Sequence, residues 1–141
     1  MSPMILHMRV HTVSTLIGII LWSISSGTGT AQHMNAPDAP CRSAGSGYET
    51  AVCFDKAAKK DDLDLNRFYG ELQKKLEEDD QQKLRVAQRL WLQFRDATCA
   101  AERQLYTTGS AAPTVYSACL EAQTRQRTKD LHTTYDWLLS K

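Results

Sequence analysis

The sequence contains little glycine and proline, and neither sign of charge is in excess. Seven glycines and four prolines among 141 residues exclude collagen and low-complexity chains. The 17 basic and 16 acidic side chains give a net charge of +1, whereas a general nucleic-acid binder would be more basic. The chain is therefore expected to form one globular domain and to have no nucleic-acid partner.

Residues and motifs that carry catalysis are also scarce. The sequence has no nucleophile elbow, zinc-protease helix, phosphate-binding loop or dinucleotide fingerprint. Beyond the N-terminal region it has only two histidines, His33 and His132. The cysteines do not form the closely spaced pairs that are typical of zinc sites. We therefore expect a protein that is not an enzyme and that has neither a metal site nor a cofactor.

The N-terminus has the order of segments that is typical of a secretory signal. Basic or weakly basic side chains precede a mostly apolar run, residues 13–24, and small residues follow up to Ala31. This run is shorter than the segment of about 20 residues that spans a membrane. The sequence therefore predicts a signal peptide over residues 1–31 and a leader segment over residues 32–47, with an uncleaved N-terminal anchor as the alternative.

The cysteines indicate an exported protein. No cysteine stands at the predicted cleavage site, as a lipid anchor would require, so no stable membrane anchor is expected after cleavage. An even count in a small exported chain predicts two disulfides and a periplasmic or secreted location. Three pairings are possible, and we expect the sequential one because it closes short loops. The four residues are Cys41, Cys53, Cys99 and Cys119, and the expected bonds are Cys41–Cys53 and Cys99–Cys119.

Helical patterning covers the rest of the chain. Residues 48–105 contain one glycine, no proline and no strand-like alternation. Apolar side chains recur at helical spacing in residues 61–75, and Asp61 or Asp62 is expected near the start of that helix. In the next helix one stripe is expected to face the core, and Trp91 and Phe94 within it are expected to be buried. The stripe consists of Leu84, Ala87, Trp91, Phe94 and Thr98.

The first break in this pattern is an acidic run. Residues 77–80 predict a turn near Asp79, where Gln82 completes the spacing of a capping box. One continuous helix through this point is the alternative. The run itself is expected to be a solvated turn, or else a local acidic patch that attracts a cationic partner.

The second break lies in residues 106–113. Gly109 suits the end of a helix and Ser110 the cap of the next, so that Pro113 falls in its first turn. A last helix then follows, with Tyr116, Leu120, Arg127, Leu131, Tyr135 and Leu138 along one face. The sequence thus predicts an all-α fold over residues 48–141, a small disulfide-stapled bundle of about three main helices.

Spaced motifs in this sequence resemble those of a known family. The first is D-x-x-L-N-x-x-Y-x-x-L beginning at Asp62, and the second is L-x-x-A-Q-R-x-W-x-x-F-R-D-x-x-C beginning at Leu84. Gly109-Ser110, Pro113, Tyr116, Cys119, Thr124, Arg127 and Leu131 complete the pattern. Together these motifs resemble the LprI-type lysozyme inhibitor domain, a family of small exported, cysteine-containing helical proteins.

The resemblance implies an envelope protein that binds and inhibits a peptidoglycan hydrolase, with c-type lysozyme as a candidate partner. An immunity protein against a secreted cell-wall toxin is one alternative. A structural or assembly factor of the envelope is the other. An inhibitor needs a rigid scaffold and an element that enters the enzyme's cleft, and exposed loops commonly supply such elements. The candidate partner-binding turn is Thr107, Thr108, Gly109 and Ser110.

Other residues of the motifs have the spacing of an interhelical network. Gln88, Trp91 and Arg95 lie three and four residues apart and so share one side of a helix. Asn66 and Tyr69 are similarly spaced on the preceding helix. We expect these groups to form a buried or half-buried network that fixes the helix register, with Asp96 paired to Arg95. The expected structural residues are Asn66, Tyr69, Gln88, Trp91, Arg95 and Asp96.

Overall fold

Three long helices form the fold. The computed structural model describes residues 33–140, and the predicted signal peptide lies outside these residues. A short 3-10 helix, His33–Asn35, is followed by α1 (Gly47–Lys75), α2 (Glu78–Gln104) and α3 (Ala112–Leu139). No strand occurs between residues 33 and 140. The predicted all-α fold with three main helices is confirmed.

Helix α1 begins earlier than the sequence pattern indicates. Ser46 caps it by accepting a hydrogen bond from the Glu49 amide at 3.2 Å. Asp61 and Asp62 therefore lie about four turns inside the helix, and the prediction of a helix start there is wrong. In the first half of α1 only Phe54 is fully buried, and the other side chains are half-buried or exposed. This part of the helix therefore has no apolar stripe wide enough to be recognised.

The break between α1 and α2 is tight. Leu76 ends α1 in an extended conformation, and Glu77 is the N-cap of α2 without a side-chain cap bond. The side-chain amide of Gln81 donates to the Leu76 carbonyl at 2.8 Å across the turn. The continuous helix is thus excluded. The capping box at Asp79 is also wrong, because Asp79 lies in the first turn of α2, where its charge favours the helix dipole.

The connection between α2 and α3, residues 105–111, is called the α2–α3 turn here. Helix α2 ends at Gln104 and not near Gly109, and no glycine between residues 33 and 140 has a positive φ. Ala111 is the N-cap of α3 without a side-chain bond, so the prediction that Ser110 is the cap is wrong. Pro113 does lie in the first turn of α3, where its missing N–H costs little.

Helix α3 packs against both α1 and α2. Helix α3 buries side chains on more than one face, so the prediction of a single inner face is only partly correct. Of the six residues predicted for that face, Leu131 is buried and the other five are half-buried. Two apolar clusters result. One contains Leu65, Phe68, Leu72, Leu84 and Leu131. The other, near the start of α1, contains Ala39, Cys41, Phe54 and Ala118.

The sequential disulfide pairing is confirmed. Cys41 pairs with Cys53 and Cys99 with Cys119, with Cα–Cα distances of 5.8 and 5.5 Å. The first bond fastens the leader segment to α1, and the second fastens α2 to α3. Two such bonds in a small domain are typical of an oxidising compartment.

The leader segment is part of the core. Ala39 and Cys41 are buried against Phe54. His33 lies 3.2 Å from the Glu102 carboxylate near the end of α2, and Asp38 accepts a hydrogen bond from Arg125 of α3. The segment therefore contacts all three long helices. Within residues 33–140, no helix has an apolar stretch sufficient to cross a lipid bilayer.

The inner face of α2 differs from the predicted stripe. Of the residues along this face, Leu84, Gln88 and Cys99 are buried and Trp91, Arg95 and Thr98 are half-buried, whereas Ala87 and Phe94 are exposed. The burial predicted for Phe94 is wrong, since its side chain is 58% exposed. Gln88 and Arg95 take two of the inner positions, so a purely apolar criterion selects their neighbours Ala87 and Phe94 instead.

Paired substitutions test this assignment. We expect Phe94→Ala to change the free energy of unfolding by no more than about 0.5 kcal/mol, because an exposed side chain loses little on truncation. Trp91 packs against the Leu65 cluster, so Trp91→Ala should cost about 2–3 kcal/mol. Urea denaturation of both variants measures the difference. Equal losses would contradict the assigned orientation of α2.

Candidate functional site

One guanidinium joins all three helices. Arg95, whose side chain is 13% exposed, donates from Nη1 to Asp62 Oδ1 on α1 at 3.1 Å and to Thr124 Oγ1 on α3 at 3.2 Å. Its Nε donates to the adjacent Asp96 Oδ1 at 2.9 Å. This one side chain of α2 therefore makes hydrogen bonds to both of the other long helices.

An aromatic ring and a second guanidinium continue this arrangement. The Trp91 ring has Arg95 5.1 Å and Arg127 5.9 Å from its centroid, both within the range of a cation–π interaction. Arg127 Nε donates to Gln88 Oε1 at 3.1 Å, and Gln88 is only 8% exposed. Helices α2 and α3 are thus joined through a charged side chain at a second level.

Asn66 and Tyr69 differ in their surroundings. Asn66 is exposed, and its amide donates to Asp62 Oδ2 at 3.1 Å, so it reaches Arg95 through that carboxylate. Tyr69 packs against the apolar cluster around Leu65. We name the connected set the polar seam. It consists of Asp62, Asn66, Gln88, Trp91, Arg95, Asp96, Thr124 and Arg127.

Sequence reasoning missed three of these partners. The resemblance included Thr124 and Arg127 without a role for either, and Asp62 was expected at a helix start. The sequence signal for Arg95 was that a charged residue has the spacing of side chains that face the neighbouring helices. The partners of Arg95 depend on how far each helix is shifted along its axis relative to the others. The spacing of residues within one helix gives no information about that shift.

A groove of about 650 Å³ opens beside the polar seam. Asp55 and Leu63 of α1, Tyr116 and Leu120 of α3, and Arg95 line it. Leu63 is 70% exposed. Water therefore reaches one side of the Arg95–Asp62 pair, which lowers the cost of placing these charges between helices.

The α2–α3 turn is exposed but braced at its base. Cys99 and Cys119 join the two helices a short distance from the turn, and the Arg103 guanidinium lies 5.8 Å from the Tyr116 ring. Within the turn, the Gly109 amide donates to the Tyr106 carbonyl at 3.1 Å. The candidate residues Thr107 to Ser110 are all exposed. The turn is thus a protruding element with its ends held.

One of the candidate donors in the turn is already used locally. The Thr107 hydroxyl donates to the Gln104 carbonyl at 3.2 Å and so satisfies the end of α2. The other candidate hydroxyls belong to Thr108 and Ser110. The adjacent surface is partly apolar, because Tyr48 and Leu105 are each 79% exposed.

The acidic run lies at the other end of α2. Glu78, Asp79 and Asp80 form its first turn, and the helix has 27 residues. At a rise of about 1.5 Å per residue, the run and the α2–α3 turn are about 40 Å apart. A compact interface of about 800 Å² per partner is about 30 Å across. The two features therefore do not belong to one such interface.

A buried glutamate on α3 was not recognised in the sequence. Glu121 is 1% exposed, and its Oε1 accepts a hydrogen bond from Arg125 Nε at 2.6 Å. The Asp61 carboxyl of α1 contacts it, and burial together with the Glu121 charge raises the pKa of Asp61 to about 6. The Arg125 guanidinium also holds the pKa of Asp38 below its usual value.

A possible ligand cluster near the leader does not suit a metal ion. His33, Glu102 and Cys119 place ligand-type atoms within 4.8 Å of one another. The sulfur of Cys119 is bonded to Cys99, whereas a metal ion requires the thiolate. The remaining imidazole and carboxylate form the His33–Glu102 pair described above.

These features define a class: a small helical bundle stapled by two disulfides, with a polar seam between its helices and a braced exposed turn. A family model described as "Lysozyme inhibitor LprI" matches residues 41–131. The chain belongs to this LprI family, as its motifs indicated.

The comparison with individual proteins is less informative. An uncharacterized protein of Rhizobium meliloti (strain 1021) is 29% identical over 108 residues, which cover 67% of this chain and 78% of the relative. No solved structure matches the chain.

Proposed function

We propose that this protein is an exported binding protein, not an enzyme, that inhibits a lysozyme or another peptidoglycan hydrolase of the cell envelope. The observation that carries the proposal is the family match, which spans both disulfides, the whole of α1 and α2, and α3 as far as Leu131. A periplasmic or secreted location agrees with the disulfides. In this proposal residues 1–31 act as a cleaved signal peptide.

The α2–α3 turn is the proposed contact with the enzyme. Its ends are held by the Cys99–Cys119 bond, so little conformational entropy is lost when it enters a cleft. The hydroxyls of Thr108 and Ser110 offer hydrogen bonds to polar groups of the cleft, and exposed Leu105 and Tyr48 supply apolar area at the rim. The polar seam positions the helices that present the turn.

Clearing of a cell-wall suspension by c-type lysozyme tests the proposal. Excess oxidised protein should slow the clearing in a dose-dependent way, and reduction of the disulfides should abolish the protection. Absence of protection by a folded, oxidised sample would remove c-type lysozyme as the target. A pull-down of hydrolases from envelope extract would then test the broader proposal, which fails if none is bound.

A turn variant tests the proposed interface. Replacing residues 107–110 by four residues of different sequence should weaken inhibition by at least tenfold, equivalent to about 1.4 kcal/mol of binding free energy, with little change in unfolding. The matched control neutralises the opposite end of α2 by Glu78→Gln, Asp79→Asn and Asp80→Asn. The control should inhibit normally at moderate salt. If only the control loses inhibition, the interface lies at the acidic end.

A further inference from the structure

The contact between Asp61 and Glu121 leaves one buried oxygen without a donor. Glu121 Oε1 is bonded to Arg125 Nε at 2.6 Å. Its Oε2 is buried and accepts no hydrogen bond from an N–H or hydroxyl group among residues 33–140. The neighbour of Glu121 on α1 is the carboxyl of Asp61. A carboxylate cannot donate a hydrogen bond, whereas a protonated carboxyl can.

The local charges favour such a proton. Arg125 forms ion pairs with both Glu121 and Asp38, so its single positive charge already faces two carboxylates. The carboxyl of Asp61 is a third acidic group at the same place. Lys60 attracts the Asp61 carboxylate but is itself paired with Asp64 at 2.6 Å. Like charges that share a partly buried site cannot both ionise easily.

We propose that Asp61 and Glu121 share one proton, which acts as a pH-dependent clamp between α1 and α3. The shared proton gives Glu121 Oε2 its missing donor and joins the two helices at mid-height. When the proton is lost, two carboxylates face each other beside Arg125, and the α1–α3 contact loosens. The proton is bound to the pair and not to either residue alone.

The other groups around this clamp are few. The groove above it is lined by Asp61 and Asp64 of α1 and by Arg125, Lys129 and His132 of α3, and no α2 side chain lines it. His132 lies 2.7 Å from Asp136 and stacks on Phe68. Asp38 reaches Arg125 from the leader. An Asp61 variant leaves all of these ion pairs in place.

The sign of the pH effect follows from the pKa. Asp61 has a folded-state pKa of about 6 and an ordinary value of 3.8. The folded protein therefore binds the proton at a higher pH than the unfolded chain, and stability rises as the pH falls through 6 towards 4. The lowered pKa values of Asp38 and Asp64 have the opposite effect on stability. They stabilise the folded protein above the ordinary value of 3.8, and this stabilisation is lost as the pH falls below that value.

Carboxyl titration by NMR and urea unfolding at several pH values test the clamp. In the oxidised protein, the signal of the Asp61 carboxyl should shift near pH 6. As the pH falls from 7.5 to 5, the pair should raise the folding equilibrium constant by roughly fivefold. A full pKa unit corresponds to a factor of about ten, and the expected effect is smaller because Asp61 is partly open to water. Asp61→Asn should remove this rise, since its amide donates to Glu121 at any pH.

The matched control is Asp55→Asn, an exposed carboxylate of α1 that pairs with Lys59 and not with Lys60, which should keep the rise between pH 7.5 and 5. The difference between the wild-type and Asp61→Asn profiles isolates the pair from the histidine ion pairs, which both proteins retain. Titration of the Asp61 carboxyl near its ordinary value of 3.8 in the folded wild-type protein would overturn the proposal. Identical pH profiles of the wild type and Asp61→Asn would do so as well.

Discussion

Arg95→Ala is expected to lower the free energy of unfolding by about 3 kcal/mol, because it leaves partners on two other helices unpaired. Asp62 loses its cation, and the Thr124 hydroxyl, at 1% exposure, loses its donor. Trp91 loses one of its two flanking guanidinium groups. Arg95→Lys should recover only part of the loss, since an ammonium cannot reproduce the planar fork of donors.

Urea denaturation followed by circular dichroism measures this effect. Arg89→Ala is the matched control, because Arg89 lies on the same helix and is exposed. Its free energy of unfolding should stay within about 0.5 kcal/mol of the wild type. An Arg95→Ala protein of undiminished stability that no longer inhibited a hydrolase would contradict a structural role for the polar seam. The groove beside Arg95 would then be the binding surface.

Removal of the Cys99–Cys119 bond is the second change with a large expected effect. Both residues are fully buried, and the bond closes a separation of 20 residues. The Cys99→Ala, Cys119→Ala variant should lose about 3 kcal/mol of stability, since an unfolded chain without this bond gains conformational freedom. The α2–α3 turn should also lose affinity for its enzyme, because its base is no longer held.

A second double variant separates these two effects. The Cys41→Ala, Cys53→Ala protein loses a bond of similar separation, 12 residues, so its stability should fall by a similar amount of about 3 kcal/mol. That bond joins the leader to α1 and does not link the two helices that present the α2–α3 turn. Its removal should therefore weaken inhibition less than removal of Cys99–Cys119. Equal losses of inhibition at equal stability would argue against the turn as the contact.

The sequence predicted those parts of the fold that local signals determine. Gly109, Ser110 and Pro113 located the α2–α3 turn, although neither Gly109 nor Ser110 has the role expected of it. The short loops closed by sequential pairing indicated the disulfide pairs. The start of α1 was not predicted, because residues 47–60 bury little apart from Phe54. A helix of this kind is stabilised by the leader and the disulfide that cover it.

The candidate site was predictable in part for a similar reason. Gln88, Trp91 and Arg95 share a helix, so their common face follows from their spacing. Asp62 and Thr124 lie on other helices, and a shift of either helix by one turn would give Arg95 different partners. The contact between Asp61 and Glu121 was missed because neither residue stands out among 16 acidic side chains.

The order of the cysteines along the chain has a consequence for how the molecule matures. Each disulfide joins a cysteine to the next one in the sequence. An oxidant that acted on the cysteines in the order in which they entered an oxidising compartment would therefore make the native bonds directly. With that order of oxidation Cys41 would meet Cys53 before Cys99 had entered. The chain would then need no disulfide rearrangement, a step that takes seconds to hours.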